Sequence, residues 1–424
     1  MQKLSLIELF SGIGAQKKGI DNTGLWDCEV IATSEIDKDA IVSYAAMHEG
    51  LTPELICNYS YPSKEEMIKY LDDRYVGYDF IKSKYQDWYV VSDKELKVYY
   101  LACVLSKNLG NISKVEKLPE ADMWTYSFPC TDISTMGEMQ GLIKGQTRSG
   151  LLYEVERLLN VASQEGTLPK YLLLENVKNL TGKNFINQYR DWIWYLNELG
   201  YNNYDMLLNA KDMGIPQNRE RVFLLSVRQD VDMTLFMQPM AIDNGLRLRD
   251  ILDDTENVPY KFYWSTKYSE DLYDDFIKDN NIDISNTEDY IIRSLTPIES
   301  YRLMGFTDED FNKAKAVCVA QNVDFQLYHQ AGNSIVTNCI MRIMTNLYNS
   351  QYSNLDGDNI TAESYSGNSK TNKIIIKGNL RDWTAGRQLQ HYKKVYDIDG
   401  VSPTLMTTGD SDHVPKLFVK RKGR

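Results

Sequence analysis

An open, mostly parallel α/β sheet is the fold class that this 424-residue sequence predicts. Three observations point to it. Short apolar runs alternate with amphipathic helical patterns through residues 1–228, which is the signature of strand–helix–strand units. The first run ends in a glycine turn, and the second ends in an acid, Glu35. Residues 4–10 read as a buried strand, followed by the turn and a short helix. Residues 29–36 read as the second strand and 38–48 as the second helix. Residues 123–129 form a third apolar run, and 149–159 carry apolar side chains at helical spacing. Residues 171–177 follow as another strand, then a helix presenting Phe185, Tyr189, Ile193, Leu196 and Leu199 on one face. Residues 204–208 and 221–227 complete the pattern. Ligands of such sheets sit at the carboxyl ends of the strands.

Composition excludes several classes. The formal charge is −12 and the pI about 5.0, which argues against a general nucleic-acid coat, although net charge does not describe local patches. The acidity is uneven: residues 373–424 carry a net +6, and the stretch 270–289 holds eight acids and one base. The N-terminal residues lack a basic region followed by an apolar run, so no secretory signal is expected. No apolar stretch is long enough to span a membrane. Six cysteines, at 28, 57, 103, 130, 318 and 339, form no C-x-x-C pair, and there are only four histidines. Neither a metal site nor a disulfide framework is expected, and a reducing cytoplasm is the default compartment.

The glycine turn is Phe10-Ser11-Gly12-Ile13-Gly14. Such a turn lets a ligand approach the backbone closely. The dinucleotide pattern G-x-G-x-x-G fails, because its third glycine position is Lys17, so a nicotinamide or flavin loses support. Glu35 stands where an acid grips ribose hydroxyls, and a single nucleoside fits better. At the same edge lie Pro129-Cys130 after the third strand, Glu175 in Glu175-Asn176-Val177, and two arginines, Arg219 and Arg221, on one face of the last strand.

With these residues in order, the sequence closely resembles the DNA (cytosine-5)-methyltransferases. The matching motifs are the F-S-G-I-G turn, Glu35, P-C at 129–130, E-N-V at 175–177 and Q-N-R-E-R-V-F at 217–223. R-S-L-T-P-I-E at 293–299, running to R-L-M-G-F at 302–306, and Q-A-G-N-S at 330–334 complete the series. The resemblance implies a class I methyltransferase sheet, Rossmann-like, with a smaller target-recognition region. It implies S-adenosyl-L-methionine as cofactor, double-stranded DNA as partner, no metal and a monomer. By the same resemblance Cys130 is the nucleophile toward carbon 6 of cytosine, Glu175 holds and protonates ring nitrogen 3, Arg221 binds oxygen 2 and Arg219 supports the pocket. Phe10, Ser11, Gly12, Ile13, Gly14, Glu35, Ile36, Asn111, Pro129, Asn333 and Ser334 are the expected cofactor residues, and Ser134, Arg148 and Gln217 the expected DNA contacts. The target base must leave the duplex stack, and the loop 137–148, with three glycines, can close over it.

The resemblance divides the chain into a catalytic region 1–228 with an insertion at 50–119 packed on the sheet, and a recognition region 229–292. A returning segment 293–352, a linker 353–372 and a separate basic segment 373–424 follow. Three departures stand out. Thr131 follows the cysteine where many members have Gln. Asn111 replaces an Asp that contacts the adenine amine. The stretch 395–405, which normally precedes the L-T-P helix, lies near the C-terminus, so part of DNA recognition is expected in 373–424. The alternatives are a tRNA cytosine-5 methyltransferase with the same chemistry, and a non-catalytic DNA-binding module on the same fold.

Overall fold

The computed structural model describes residues 1–79, 83–129, 149–263, 290–352, 376–379, 394–405 and 415–420. Six strands form the central sheet: β1 (Gln2–Leu9), β2 (Trp26–Ser34), β3 (Met123–Tyr126), β4 (Tyr171–Val177), β5 (Tyr201–Asn209) and β6 (Glu220–Arg228). Their order is β2-β1-β3-β4-β6-β5. The first four run parallel, and β6 runs antiparallel to both of its neighbours. The chain goes to one side of β1 for β2 and to the other for β3. A crevice therefore opens between β1 and β3 at their carboxyl ends, the position at which such sheets bind ligands.

Alternation along the strands makes two apolar layers. Leu4, Leu6, Leu173, Phe223 and Leu225 face α1 (Ala15–Asp21) and a long helix at Thr337–Tyr352, which contributes Ile340, Ile343 and Leu347. Ile7, Leu9, Trp124, Leu172, Leu174 and Leu224 face the helices Leu152–Glu165 and Ile186–Glu198. β2 begins three residues earlier than its sequence pattern predicts. Trp26 packs edge-on against Tyr348 and Tyr352 and donates its indole N–H to the Met344 carbonyl, which draws residues 26–28 into the sheet.

The insertion packs its helices on a helix, and its last residues, from Lys107 to Leu118, on the sheet. It comprises α3 (Pro53–Asn58), α4 (Lys64–Asp73), a short hairpin pairing Tyr78–Asp79 with Lys84–Tyr85, and α5 (Asp93–Leu105). Met67, Leu71, Leu96 and Leu101 close over Ile41, Ala45 and Ala46 of α2 (Lys38–His48). Ser63 and Ser92 open α4 and α5 with reciprocal capping boxes to Glu66 and Glu95, which satisfy N–H groups that a helix start leaves unpaired.

The described residues beyond 373, set apart by composition, contribute to the main core. β7 (Tyr290–Ser294), β8 (Ile376–Asn379), β9 (Lys394–Asp397) and β10 (Lys416–Lys420) form a second sheet ordered β7-β10-β9-β8. β7 and β10 are antiparallel, with Tyr290 opposite Lys420. Tyr396, Leu405, Leu417 and Val419 are buried with Met213 and Leu303, because a strand of alternating apolar residues needs cover that a detached tail cannot give. Lys416 is fully buried and donates to the Ser294 hydroxyl, so its charge is withdrawn from the basic surface. Beside it Arg293 and Glu299 form a two-point ion pair at 2.8 and 2.6 Å, both fully buried.

Candidate active site

The glycine turn is held open by backbone geometry. Phe10 lies at φ 58°, Gly12 at 52° and Gly14 at 80°, a region that costs side-chain-bearing residues about 1 kcal/mol or more. Phe10 and Ser11 donate their N–H groups to the Ser34 carbonyl, which joins the turn to the end of β2. A Cβ at Gly14 would come within 2.4 Å of the His48 ring, whereas one at Gly12 would meet open space. Behind the turn sits a buried polar cluster. Glu8 is fully buried, accepts the Tyr44 hydroxyl and accepts the Lys17 N–H at 3.0 Å. Burial pushes its carboxyl up to about 7, against the pull of these two hydrogen bonds. His48 meets the Ile13 carbonyl at 3.0 Å, and burial lowers its imidazole to about 4.

Glu35 closes the same edge. One carboxylate oxygen accepts the Gly12 N–H at 2.9 Å, and the other accepts those of Ile36 and Asp37 at 2.8 and 2.9 Å. Burial first, and the Asp37 charge second, raise its carboxyl from the ordinary range. Sequence reasoning missed its support. Asn108, buried, accepts the Glu35 N–H at 3.0 Å and donates to the Glu35 carbonyl at 2.9 Å. Asn111 follows on the same turn, its side-chain oxygen accepting the Ser113 N–H at 3.0 Å and its amide nitrogen donating to the Tyr85 hydroxyl at 3.0 Å.

At the neighbouring strand ends, β4 and β6 bring Glu175 and Arg221 together. Their antiparallel register sets Glu175 opposite Phe223 and Val177 opposite Arg221, so the two side chains are diagonal neighbours on one face. The Arg221 Nε is 3.3 Å from the Glu175 carboxylate. Burial raises the Glu175 carboxyl, while Arg221, Arg219 and the Ser127 hydroxyl pull it down. Ser127 also accepts from the Gln16 amide at 3.4 Å, which ties α1 to this corner. Asn176 turns the other way and donates to the Phe128 carbonyl at 3.0 Å, fixing the turn that leads through Pro129 to Cys130. Cys130, Ser134, Arg148 and the loop 137–148 lie outside the described residues.

Two further expected site residues are buried. Arg219 is buried, and its guanidinium donates to the carbonyls of Leu405, Gly332 and Ser334 at 3.2, 3.0 and 2.8 Å. It positions the pocket by binding the backbone of two distant segments. Gln217, expected at the DNA, is instead fully buried. Its amide nitrogen donates to the Leu303 carbonyl at 2.8 Å, because the short pairing of Gln217–Asn218 with Ser402–Pro403 covers it. Asn333 stays at the surface against His329, and Ser334 turns its hydroxyl to the Ile335 carbonyl. Among the described residues no His, Cys, Asp and Glu group is arranged to hold a metal, and no helix is long and apolar enough to cross a membrane.

Comparison with known proteins decides the family. The model of the C-5 cytosine-specific DNA methylases matches residues 88–290 and 248–349. The chain belongs to that family. It is a DNA cytosine-5 methyltransferase of a class dependent on S-adenosylmethionine. It is 36% identical over 375 residues to the Type II methyltransferase M2.ScrFI of Lactococcus lactis subsp. cremoris, across 82% of this chain and all of that protein. It is 39% identical over 234 residues to the orphan methyltransferase M.SssI of Spiroplasma monobiae, across 53% of this chain and 59% of that one. Among solved structures it is similar to the Entamoeba histolytica methyltransferase EhMeth, with a TM-score of 0.47 and 16% identity over 84% of this chain and all of that one.

Proposed function

We propose that this methyltransferase flips a cytosine from duplex DNA into the corner formed by Glu175, Arg221 and Cys130 and alkylates it at carbon 5. The pairing of Arg221 with a Glu175 whose carboxyl is raised by burial carries the reading. Carbon 5 of cytosine is a poor nucleophile, and addition of the Cys130 thiolate to carbon 6 makes it enamine-like. Glu175, held near protonation, delivers a proton to ring nitrogen 3 and takes up the charge pushed onto the ring. Arg221 binds oxygen 2 and keeps Glu175 oriented. Loss of the carbon 5 proton to a water molecule, rupture of the Sγ–carbon 6 bond with its electron pair leaving on the thiolate, and return of the nitrogen 3 proton to Glu175 then restore the aromatic ring.

The cofactor edge suits a nucleoside. Gly12 borders open space, and Glu35 and Asn111 retain oxygen lone pairs for ribose hydroxyls and an adenine amine. S-adenosylmethionine, when bound, supplies an electrophilic methyl group. Phe10, Ser11, Ile13, Ile36, Pro129, Asn333 and Ser334 would line its site. The second sheet, which unites β7 with β8, β9 and β10, is the proposed reader of the target sequence together with 229–263. The enzyme is proposed to act as a monomer in the cytoplasm, where a catalytic thiol stays reduced, and in restriction–modification, as the naming of its Type II relatives suggests. The test is methyl transfer to duplex DNA and to tRNA side by side, with Cys130→Ala as control. Transfer to DNA that disappears in the variant supports the reading; substantial turnover by Cys130→Ala, or transfer to tRNA alone, overturns it.

A further inference from the structure

The hairpin of the insertion and the residues just before it meet the cofactor edge at four points, one at Ile36 and three at the insertion's own closing turn, 108–111. Gly77 donates its N–H to the Ile36 carbonyl at 2.7 Å, and Asn111 donates its N–H to the Arg74 carbonyl at 2.9 Å. The Arg74 guanidinium donates to the Asn108 carbonyl at 3.0 Å. The Tyr85 hydroxyl accepts the Asn111 side-chain amide at 3.0 Å. Fit is tight here: Gly110 sits at φ 76°, and a Cβ there would lie 1.9 Å from the Arg74 carbonyl oxygen. The turn 108–111, which carries both the support of Glu35 and Asn111 itself, is therefore shaped by Arg74 and the hairpin earlier in the insertion as much as by the sheet, which it meets at Thr33 and Ser34.

Among the described residues of the insertion hairpin, Tyr85 is the side chain bonded to the functional end of Asn111. Its ring is braced edge-on by Tyr75 and Tyr78, with centroids 5.7 and 5.0 Å away. Tyr75 in turn lies under the Lys114 ammonium. An amide offers a donor at one end and an acceptor at the other. With its nitrogen committed to Tyr85, Asn111 offers its oxygen, which the Ser113 N–H steadies and which keeps a second lone pair.

We propose that Tyr85 is a positioning residue of the cofactor site, fixing the Asn111 amide so that its oxygen meets the exocyclic amine of the adenine. This rests on the reading of Asn111 as a cofactor contact. The insertion thereby acquires a role, because it supplies the wall that lets an amide serve where a carboxylate would need no orienting. The ring of Tyr85 also lines an open cleft of about 480 Å³ with Asp72, Asp73, Tyr75 and Val76, so removing its hydroxyl opens no cavity in the core.

The test is calorimetric titration of the full chain with S-adenosylhomocysteine, and with its 6-oxopurine analogue, for Tyr85→Phe, Asn111→Ala and the double variant. Tyr85→Phe is expected to weaken S-adenosylhomocysteine binding about five- to tenfold, the worth of one hydrogen bond, and to shrink the preference for the 6-amino purine. Its thermal midpoint is expected to match the wild type, and kcat at saturating cofactor to stay within about twofold while KM for the cofactor rises. In the Asn111→Ala background it is expected to add nothing. Unchanged binding by Tyr85→Phe, or losses that multiply in the double variant, overturn the proposal. Unchanged binding by Asn111→Ala overturns the reading on which it rests.

Discussion

The Asn176 side chain donates to the Phe128 carbonyl at 3.0 Å, and so the strand that carries Glu175 also holds the turn that delivers Cys130. The proposed acid, Glu175, and Asn176, the clamp on the turn before the proposed nucleophile, are thus adjacent residues of one strand. Asn176→Ala is expected to leave a buried carbonyl unpaired at about 1–3 kcal/mol and to let Pro129 drift. Methyl transfer should fall by about ten- to a hundredfold with cofactor affinity nearly unchanged. Single-turnover methylation with radiolabelled cofactor checks this, and wild-type rates would remove the positioning role.

In the proposed mechanism Glu175 must hold a proton when Cys130 adds. Its carboxyl is raised by burial, so the protonated fraction falls as pH climbs through the raised value, and an alkaline decline in kcat is expected. Glu175→Gln can donate a hydrogen bond but not a proton, and should lose about a hundredfold or more together with that decline. A pH–rate profile in the variant that keeps the wild-type alkaline limb would assign the limb to another group.

Glu8 predicts a dependence of stability on pH. Its carboxyl rises from the ordinary 4.5 to about 7 in the folded chain. The folded state therefore keeps a proton that the unfolded state has already released. Its contribution is complete below pH 4.5 and is lost as pH rises to 7, at about 1.4 kcal/mol per unit. Glu8→Gln, which can still accept from Lys17, should flatten this slope in urea denaturation followed between pH 5 and 8. An identical slope in the variant would place the effect elsewhere.

Arg219 binds three carbonyls, and its removal should cost about 3 kcal/mol or more. Arg219→Lys, with a single ammonium in place of the planar fork, is expected to recover only part of that. Deleting residues 373–424 should be worse, because β7 loses its partner β10 and the core loses Leu405 and Leu417. Chemical denaturation of the three proteins gives the ranking. A truncated chain as stable as the full one would mean that the second sheet is an accessory.

The strand ends were legible because apolar runs stop where the chain becomes polar, and this put Glu35, Pro129, Glu175 and Arg221 on one edge of the sheet. Residues whose partners lie far away in sequence were not legible. Asn108 and Ser127 have no periodicity and no motif, and each acts through a neighbour distant in sequence. Asn176 was visible only as part of a motif, with no role attached. Gln217 misleads for the opposite reason: a polar string at 217–221 reads as surface, yet a pair of residues from 402–403 lies across it. The basic composition of 373–424 likewise hid the apolar alternation of β10, whose lysine at 416 is buried.

The bond from Arg219 to the Leu405 carbonyl spans 186 positions of sequence. During synthesis the arginine emerges from the ribosome long before its acceptor. At about 5–20 residues per second, that interval lasts on the order of ten seconds or more, during which the base pocket has strands but no finished wall. A nascent or prematurely terminated chain can pair the strands that carry Glu175 and Arg221 but lacks one of the carbonyls that hold Arg219. The wall that Arg219 anchors is therefore finished only once the chain has been made past residue 405.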